Sequence, residues 1–204
     1  MSKARTEAFS DGVIAVAITL LALDLHVPSA DSAASLAHEL GAQWPSYAAY
    51  VVSFLTIGII WINHHAMLRR VVAVDHAIVM LNVVLLMTVV VIPFSTALLS
   101  EYLKAGEGDH LAAAIYGGSL LLMSLAFIAM NRLVLVAKPD LVDQRITEEQ
   151  KRWLLRRNAL GLTPFALATV AAILSAYVTL GICTLVAVFY ALPATTPDPT
   201  SLDM

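Results

Sequence analysis

The stretch RTEAFSDGVIAVAITLLALDL (residues 5–25) places an arginine and two acids before an apolar run, and a further acid at its far end. Three readings compete for it: a signal peptide, a capped helix, and a membrane helix whose polar residues have a function. A basic start, an apolar centre over residues 12–23, and small residues at Ser29, Ala30, Ala33 and Ala34 are features of a cleavable signal. Glu7 and Asp11 in its leading region argue against cleavage. As a membrane span the segment is short, because only twelve residues separate Asp11 from Asp24. That is about 18 Å of helix against ~30 Å of hydrocarbon. At least one aspartate therefore lies at or inside the apolar boundary. A carboxylate there costs about 2.5–3.5 kcal/mol even on the gentler insertion scale, so it must face protein or water. In the simplest alternative, Asp11 or Ser10 caps the helix at the interface.

The rest of the chain settles the class. Of its 204 residues 59% are hydrophobic and 13% charged, far from the soluble average of roughly 45–50% and about 25%. The chain reads as an all-α integral membrane protein. Its net charge of -3 conceals an uneven distribution and gives no argument for a nucleic-acid partner. The single Cys183 excludes an intramolecular disulfide and reads as a packing residue. Four windows are long and apolar enough to cross a bilayer, about 7–27, 45–65, 76–99 and 111–131. The last apolar block, residues 159–192, exceeds one span and divides into two, about 158–175 and 177–192. Six transmembrane helices in one domain (1–192) are expected.

Basic residues orient the spans, since cytoplasmic loops carry the excess of lysine and arginine. Lys3 and Arg5 precede the first span, Arg69 and Arg70 follow the second, and Arg132, Lys138, Arg145, Lys151, Arg152, Arg156 and Arg157 follow the fourth. Only Lys104 falls on the other side, so six spans put both termini in the cytoplasm. The one long connection, about 138–157, contains ITEEQKRWLLRR, with Thr147 as an N-cap before acids and then bases. It predicts a short helix at the headgroups anchored by Trp153. The tail 193–204, rich in Pro and Thr, is expected to be disordered.

Within the first span, Val16, Thr19, Leu20, Leu23 and Val27 form one stripe at helical spacing, continued outward by Gly12, Phe9 and Arg5. Periodicity alone does not separate a pore wall from a lipid face, and it favours packing. Ser10 and Asp11 need hydrogen-bond donors if they are buried from lipid. Trp61, Asn63, His64 and His65 arrive at the same cytoplasmic level on the second span, and an indole N–H suits a carboxylate acceptor. Arg5 is expected to compensate Asp11 or Glu7.

Arg5, Phe9, Ser10 and Asp11 spell R-x-x-x-F-S-D, which resembles the signature of the transmembrane protein 175 family of potassium channels. TIGIIWINHHAMLRR (56–70) and VIPFSTALL (91–99) resemble that family's second and third helices, while the remaining spans agree only in number and hydropathy. The resemblance implies a potassium-permeable cation channel, a single six-helix set of the bacterial type in a bacterial cell membrane. Such a set implies a homotetramer whose first helices line a central pore, with lipid, potassium ions and further copies as partners and no cofactor. Its constriction is implied to be hydrophobic, formed by Val16, Thr19 and Leu23 with Leu20 beside them. Where relatives often carry Ile or Leu at the tightest point, this chain has the smaller Val16. No TVGYG-like loop is present to supply a carbonyl filter.

Other readings remain open on the residues themselves. A proton-coupled transporter or proton-conducting channel would use Asp11, His64 and His65 as protonatable sites, although the paired broken helices typical of transporters are weakly matched, by Pro93 and Pro164. A membrane scaffold would carry no flux at all. A metal site at His64, His65, Asp75 and His76 is disfavoured, because adjacent helical side chains diverge by about 100°. Asp75 is read as the N-cap of the third span, Asn82, Thr88, Pro93 and Ser95 as bonding neighbouring helices and absorbing a proline kink without a transport role, and Gly117 and Gly118 as a close helix contact. No nucleophile elbow, HExxH helix or phosphate loop points to an enzyme.

Overall fold

The computed structural model describes residues 2–28 and 35–191. The small residues of the signal-peptide reading (Ser29, Ala30, Ala33 and Ala34) and the tail 193–204 lie outside them. The described residues form seven α-helices: α1 Lys3–Leu20, α2 Leu36–Ala42, α3 Trp44–Arg69, α4 His76–Ala105, α5 Asp109–Arg132, α6 Glu148–Ala171 and α7 Ala176–Ala191. α1 tightens into a 3-10 turn over Leu21–Asp24, and α5 runs on into a π-helical turn over Leu133–Ala137. Four segments are long and apolar enough to cross a membrane: Lys3–Asp24, Trp44–Arg69, His76–Ala105 and Asp109–Ala137.

Several boundaries differ from those read in the sequence, each for a local reason. α1 begins at Lys3, so Ser10 and Asp11 sit about two turns inside it and neither caps it. α3 continues past His65 to Arg69, because nothing in the polar run from Asn63 breaks a helix. α2 is an additional short helix, started by Ser35, whose hydroxyl accepts from the His38 N–H. Residues 148–157 form no separate helix at the headgroups: Thr147 and Gln150 make a reciprocal capping box, and the helix they start passes through Pro164 to Ala171. The break before the last helix falls at residues 172–175.

α4 is the centre of the bundle, packed against α1, α3 and α5, while α5 carries α6 and α7 on its other side. Burying leucine away from lipid gains little, so van der Waals fit and interhelical hydrogen bonds, each about 0.6–2 kcal/mol, must hold such a bundle. Both are present. Ser100 donates to Ser46 at 2.7 Å, and Ser53 bonds Thr96 at 2.8 Å and Tyr116 at 2.9 Å, stitching α3 to α4 and α5. Gly117 lets α5 approach α6 so closely that a Cβ there would lie 3.0 Å from the Thr169 Cα; Gly118 meets nothing within 4 Å. Pro93 removes one backbone donor from α4 without ending it.

At the basic end, the segment after α5 docks on the α3–α4 connection. Val72 N–H donates to the Leu141 carbonyl at 2.8 Å and Asp143 N–H to the Arg70 carbonyl at 2.9 Å. Asp75 caps α4 through the Ile78 N–H and pairs with Lys138 at 2.8 Å. The Lys138 ammonium, and then the Ile78 N–H, hold the Asp75 carboxyl below its ordinary pKa.

Candidate functional site

α1 has two unlike faces. Thr6, Ser10, Ile14 and Ala17 recur at steps of four, four and three and are buried against α3 and α4. The polar members of this stripe form a directed chain. Ser10 Oγ donates to the Thr6 carbonyl at 2.8 Å and accepts from Asn82 Nδ2 at 2.9 Å. Asn82 Oδ1 is left facing His64 Nε2 at 2.7 Å. An amide oxygen only accepts, so Nε2 carries the hydrogen. Ser10, Asn82 and His64 are all buried, and the two bonds of Asn82 each cross from one helix to another. Beside this chain, Trp61 Nε1 donates to Asp11 Oδ1 at 2.8 Å at a more exposed position.

The four polar residues expected on the second span therefore do not act as one group. His64 reaches Asn82, and Trp61 reaches Asp11. The exposed His65 ring lies 6.2 Å from the Trp61 ring. Asn63 points elsewhere, donating to the Ile59 carbonyl at 2.9 Å and accepting from Arg157 of α6 at 3.1 Å. Arg5 is exposed and pairs with neither Glu7 nor Asp11. Lys3, at i and i+4, is the cation near Glu7, at 3.9 Å. Asn82, read in the sequence as bonding neighbouring helices, does so with both Ser10 and His64. Thr6 is the member that the sequence reading missed, and it could have been found as the residue one turn before Ser10.

On the opposite face Phe9, Val16, Thr19, Leu20 and Leu23 are exposed, Val16 by 57% and Leu23 by 76%. Thr19 Oγ1 donates to the Val16 carbonyl at 2.8 Å, which leaves its lone pairs directed away from the helix. Leu20 ends the α-helical part and Leu23 lies in the 3-10 turn, where residues three apart eclipse one another. Val27 falls beyond the helical segment, so the stripe stops at Leu23. Among the described residues no three His, Cys, Asp or Glu side chains converge as metal ligands.

An all-α membrane protein whose first helix is braced from one side by serine, asparagine and histidine, and bare on the other, is thus defined. The family model described as endosomal/lysosomal potassium channel TMEM175 matches residues 5–93. A potassium channel of Streptomyces collinus is 48% identical over 186 residues, covering 91% of this chain and 90% of that protein. A potassium channel of Chamaesiphon minutus is 35% identical over 190 residues, covering 92% and 93%. The crystal structure of a lysosomal potassium-selective channel TMEM175 homologue from Chamaesiphon minutus superposes with a TM-score of 0.83 at 32% identity, covering 95% of this chain and 98% of that one. The chain belongs to the TMEM175 family, a family of ion channels and not of enzymes.

Proposed function

We propose that the chain is one subunit of a homotetrameric, potassium-permeable channel in a bacterial cell membrane, with six spans and both termini cytoplasmic. α6 and α7 serve as the fifth and sixth spans, and the basic first turns of α6 lie at the headgroups. The pore is shared, because one helix cannot enclose a hole and symmetry-related copies must complete it. α1 lines it, with Val16, Thr19, Leu20 and Leu23 at the constriction.

The observation that carries this reading is the condition of α1. It is the least covered by its own chain of the four membrane-span candidates, yet its other face is locked by a directed hydrogen-bond chain and by the Asp11 to Trp61 bond. A helix facing only lipid needs no such bracing, whereas the wall of a narrow pore must be held in register. The proposed constriction has no carbonyl filter. Its valine and leucine rungs gate by dewetting, and outward lone pairs on Thr19 offer a passing cation partial coordination while it keeps some of its water. Selectivity on such a ring is weak.

The test is potassium flux into liposomes containing the purified chain and its Val16→Ala, Thr19→Ala and Leu23→Ala variants. Passive flux with a reversal potential that follows the gradient, altered in these variants, supports the proposal. Strictly coupled, saturable exchange would replace it with the transporter reading, and no flux at all with the scaffold.

A further inference from the structure

A cleft of about 80 Å³ opens between α3, α5, α6 and α7, on the side of the bundle away from α1. Its two ends differ in chemistry. Asn63, Arg157 and Asn158 form a polar rim, and Phe127 and Phe165 stand among the apolar walls. Along α6 the distance from Arg157 to Phe165 is about 12 Å, so the cleft runs from the basic end of the bundle toward its apolar middle. Gly161 lets the Tyr190 hydroxyl come close to α6, since a Cβ there would lie 3.1 Å from it, so a larger side chain at this lining position would intrude on the cleft.

The charge at the rim has no counterpart. Arg157 donates to Asn63 Oδ1 and lies 5.1 Å from the centre of the Trp153 ring, and both partners are neutral. No acid pairs with it among the described residues. Arg156 adjoins it, and exposed apolar side chains flank the cleft on α6 and α7, Leu160 by 72% and Phe189 by 72%. The mouth therefore faces acyl chains while its rim carries an uncompensated cation beside an interfacial tryptophan.

We propose that this cleft binds an anionic phospholipid, its phosphate against Arg157 and the Asn63 and Asn158 amides and one acyl chain along Phe127 and Phe165. Basic pockets between membrane helices at the cytoplasmic side recognise such headgroups. A free phosphate would meet Arg157 but gain nothing from the apolar length. A zwitterionic lipid would bring its own cation toward Arg156.

Native mass spectrometry tests this without reference to ion conduction. The delipidated protein is titrated with phosphatidylglycerol or with phosphatidylcholine of matched chains. The wild type is expected to prefer phosphatidylglycerol by about fivefold or more, the contribution of one basic residue at an anionic headgroup. Arg157→Gln removes that preference, Gly161→Leu weakens binding of both lipids, and the exposed Arg145→Gln changes neither. Equal binding of the two lipids by the wild type overturns the proposal, and this comparison stands even if a variant fails to fold. Displacement of the lipid by an equal concentration of glycerol phosphate also overturns it, by marking a site for soluble anions. An unaltered preference in Arg157→Gln, or unaltered binding in Gly161→Leu, does the same.

Discussion

The Trp61 indole donates to the Asp11 carboxylate at 2.8 Å, from α3 to α1, so the acid inside the apolar run has its donor on the next membrane helix. A hydrogen bond to a charged group contributes about 1.5–3 kcal/mol when buried, and partial exposure of this pair puts it at the low end. Trp61→Phe and Asp11→Ala should therefore each lower the melting temperature in detergent, with Asp11→Asn, which keeps an acceptor oxygen, between Asp11→Ala and the wild type. Size-exclusion chromatography should show the same order in the yield of assembled protein. Asp11→Ala protein that melts, assembles and conducts like the wild type would refute the bracing role.

Asn82 should prove the most sensitive residue of the site. Its amide satisfies Ser10 on one side and His64 on the other, both buried. Asn82→Leu leaves the His64 Nε2–H without its acceptor, at about 1–3 kcal/mol for an unsatisfied buried group, and also removes the donor to Ser10, whose own hydroxyl keeps its bond to the Thr6 carbonyl. Adding Ser10→Ala to Asn82→Leu should cost less than the sum of the two single changes, since they remove a shared bond. Thermal melts of the four proteins measure the coupling, and strict additivity would deny it.

The fold was legible where it depends on runs of apolar residues. Four windows of sufficient length correspond to α1, α3, α4 and α5, because length and hydropathy are properties of the chain itself. Of the polar pairings at the candidate site, the indole donor for Asp11 was legible and the others were not. Asn63 and His64 are neighbours whose side chains diverge by about 100° on a helix. Which of them meets α4 and which meets α6 is decided by how α3 is rotated in the bundle, which its weakly amphipathic sequence does not record. The same limitation hid the partners of Asn82, which lie on two other helices. The helix start at Lys3 was obscured because Asp11 resembles a cap, and only the bond from Trp61 explains an aspartate in the body of the helix.

The two adjacent glycines of α5 should respond oppositely to alanine. At Gly117 a Cβ would press on the Thr169 backbone at 3.0 Å, and backbone yields poorly. Gly117→Ala should destabilise the α5–α6 contact by about 1–3 kcal/mol, the usual cost of overpacking. Gly118 has open space around it, so Gly118→Ala should be neutral or stabilising by up to about 1 kcal/mol through helix propensity. Melting temperatures of the two variants in detergent check the contrast.

The junction of the connection before α4 with the segment after α5 should loosen in acid. The Asp75 pKa is lowered from its ordinary 3.8 by Lys138 and the Ile78 N–H. A depressed carboxyl contributes its stabilisation fully above the unfolded value, and loses it as pH falls below 3.8 toward the lowered folded value. Hydrogen exchange at Val72 and Asp143, whose N–H groups bridge the junction, should accelerate over that acid window relative to the exchange of the α5 core. In Asp75→Asn the acceleration should be absent, because that position no longer titrates.

In the proposed pore, Thr19 separates a merely narrow constriction from one that helps a cation through. Its hydroxyl hydrogen is committed to the Val16 carbonyl at 2.8 Å, so the oxygen can present only acceptor lone pairs to whatever lies on the open side of α1. Thr19→Val keeps the shape and removes the acceptor. If cations pass that face partly hydrated, losing one such contact per subunit should reduce potassium flux by about fivefold or more, equivalent to roughly 1 kcal/mol at the barrier. Thr19→Ser keeps the oxygen and should stay within about twofold of the wild type. Liposome flux for both variants, alongside melting temperatures to show that the bundle is intact, measures the difference. Equal flux in Thr19→Val and Thr19→Ser would mean that the constriction acts through its width alone.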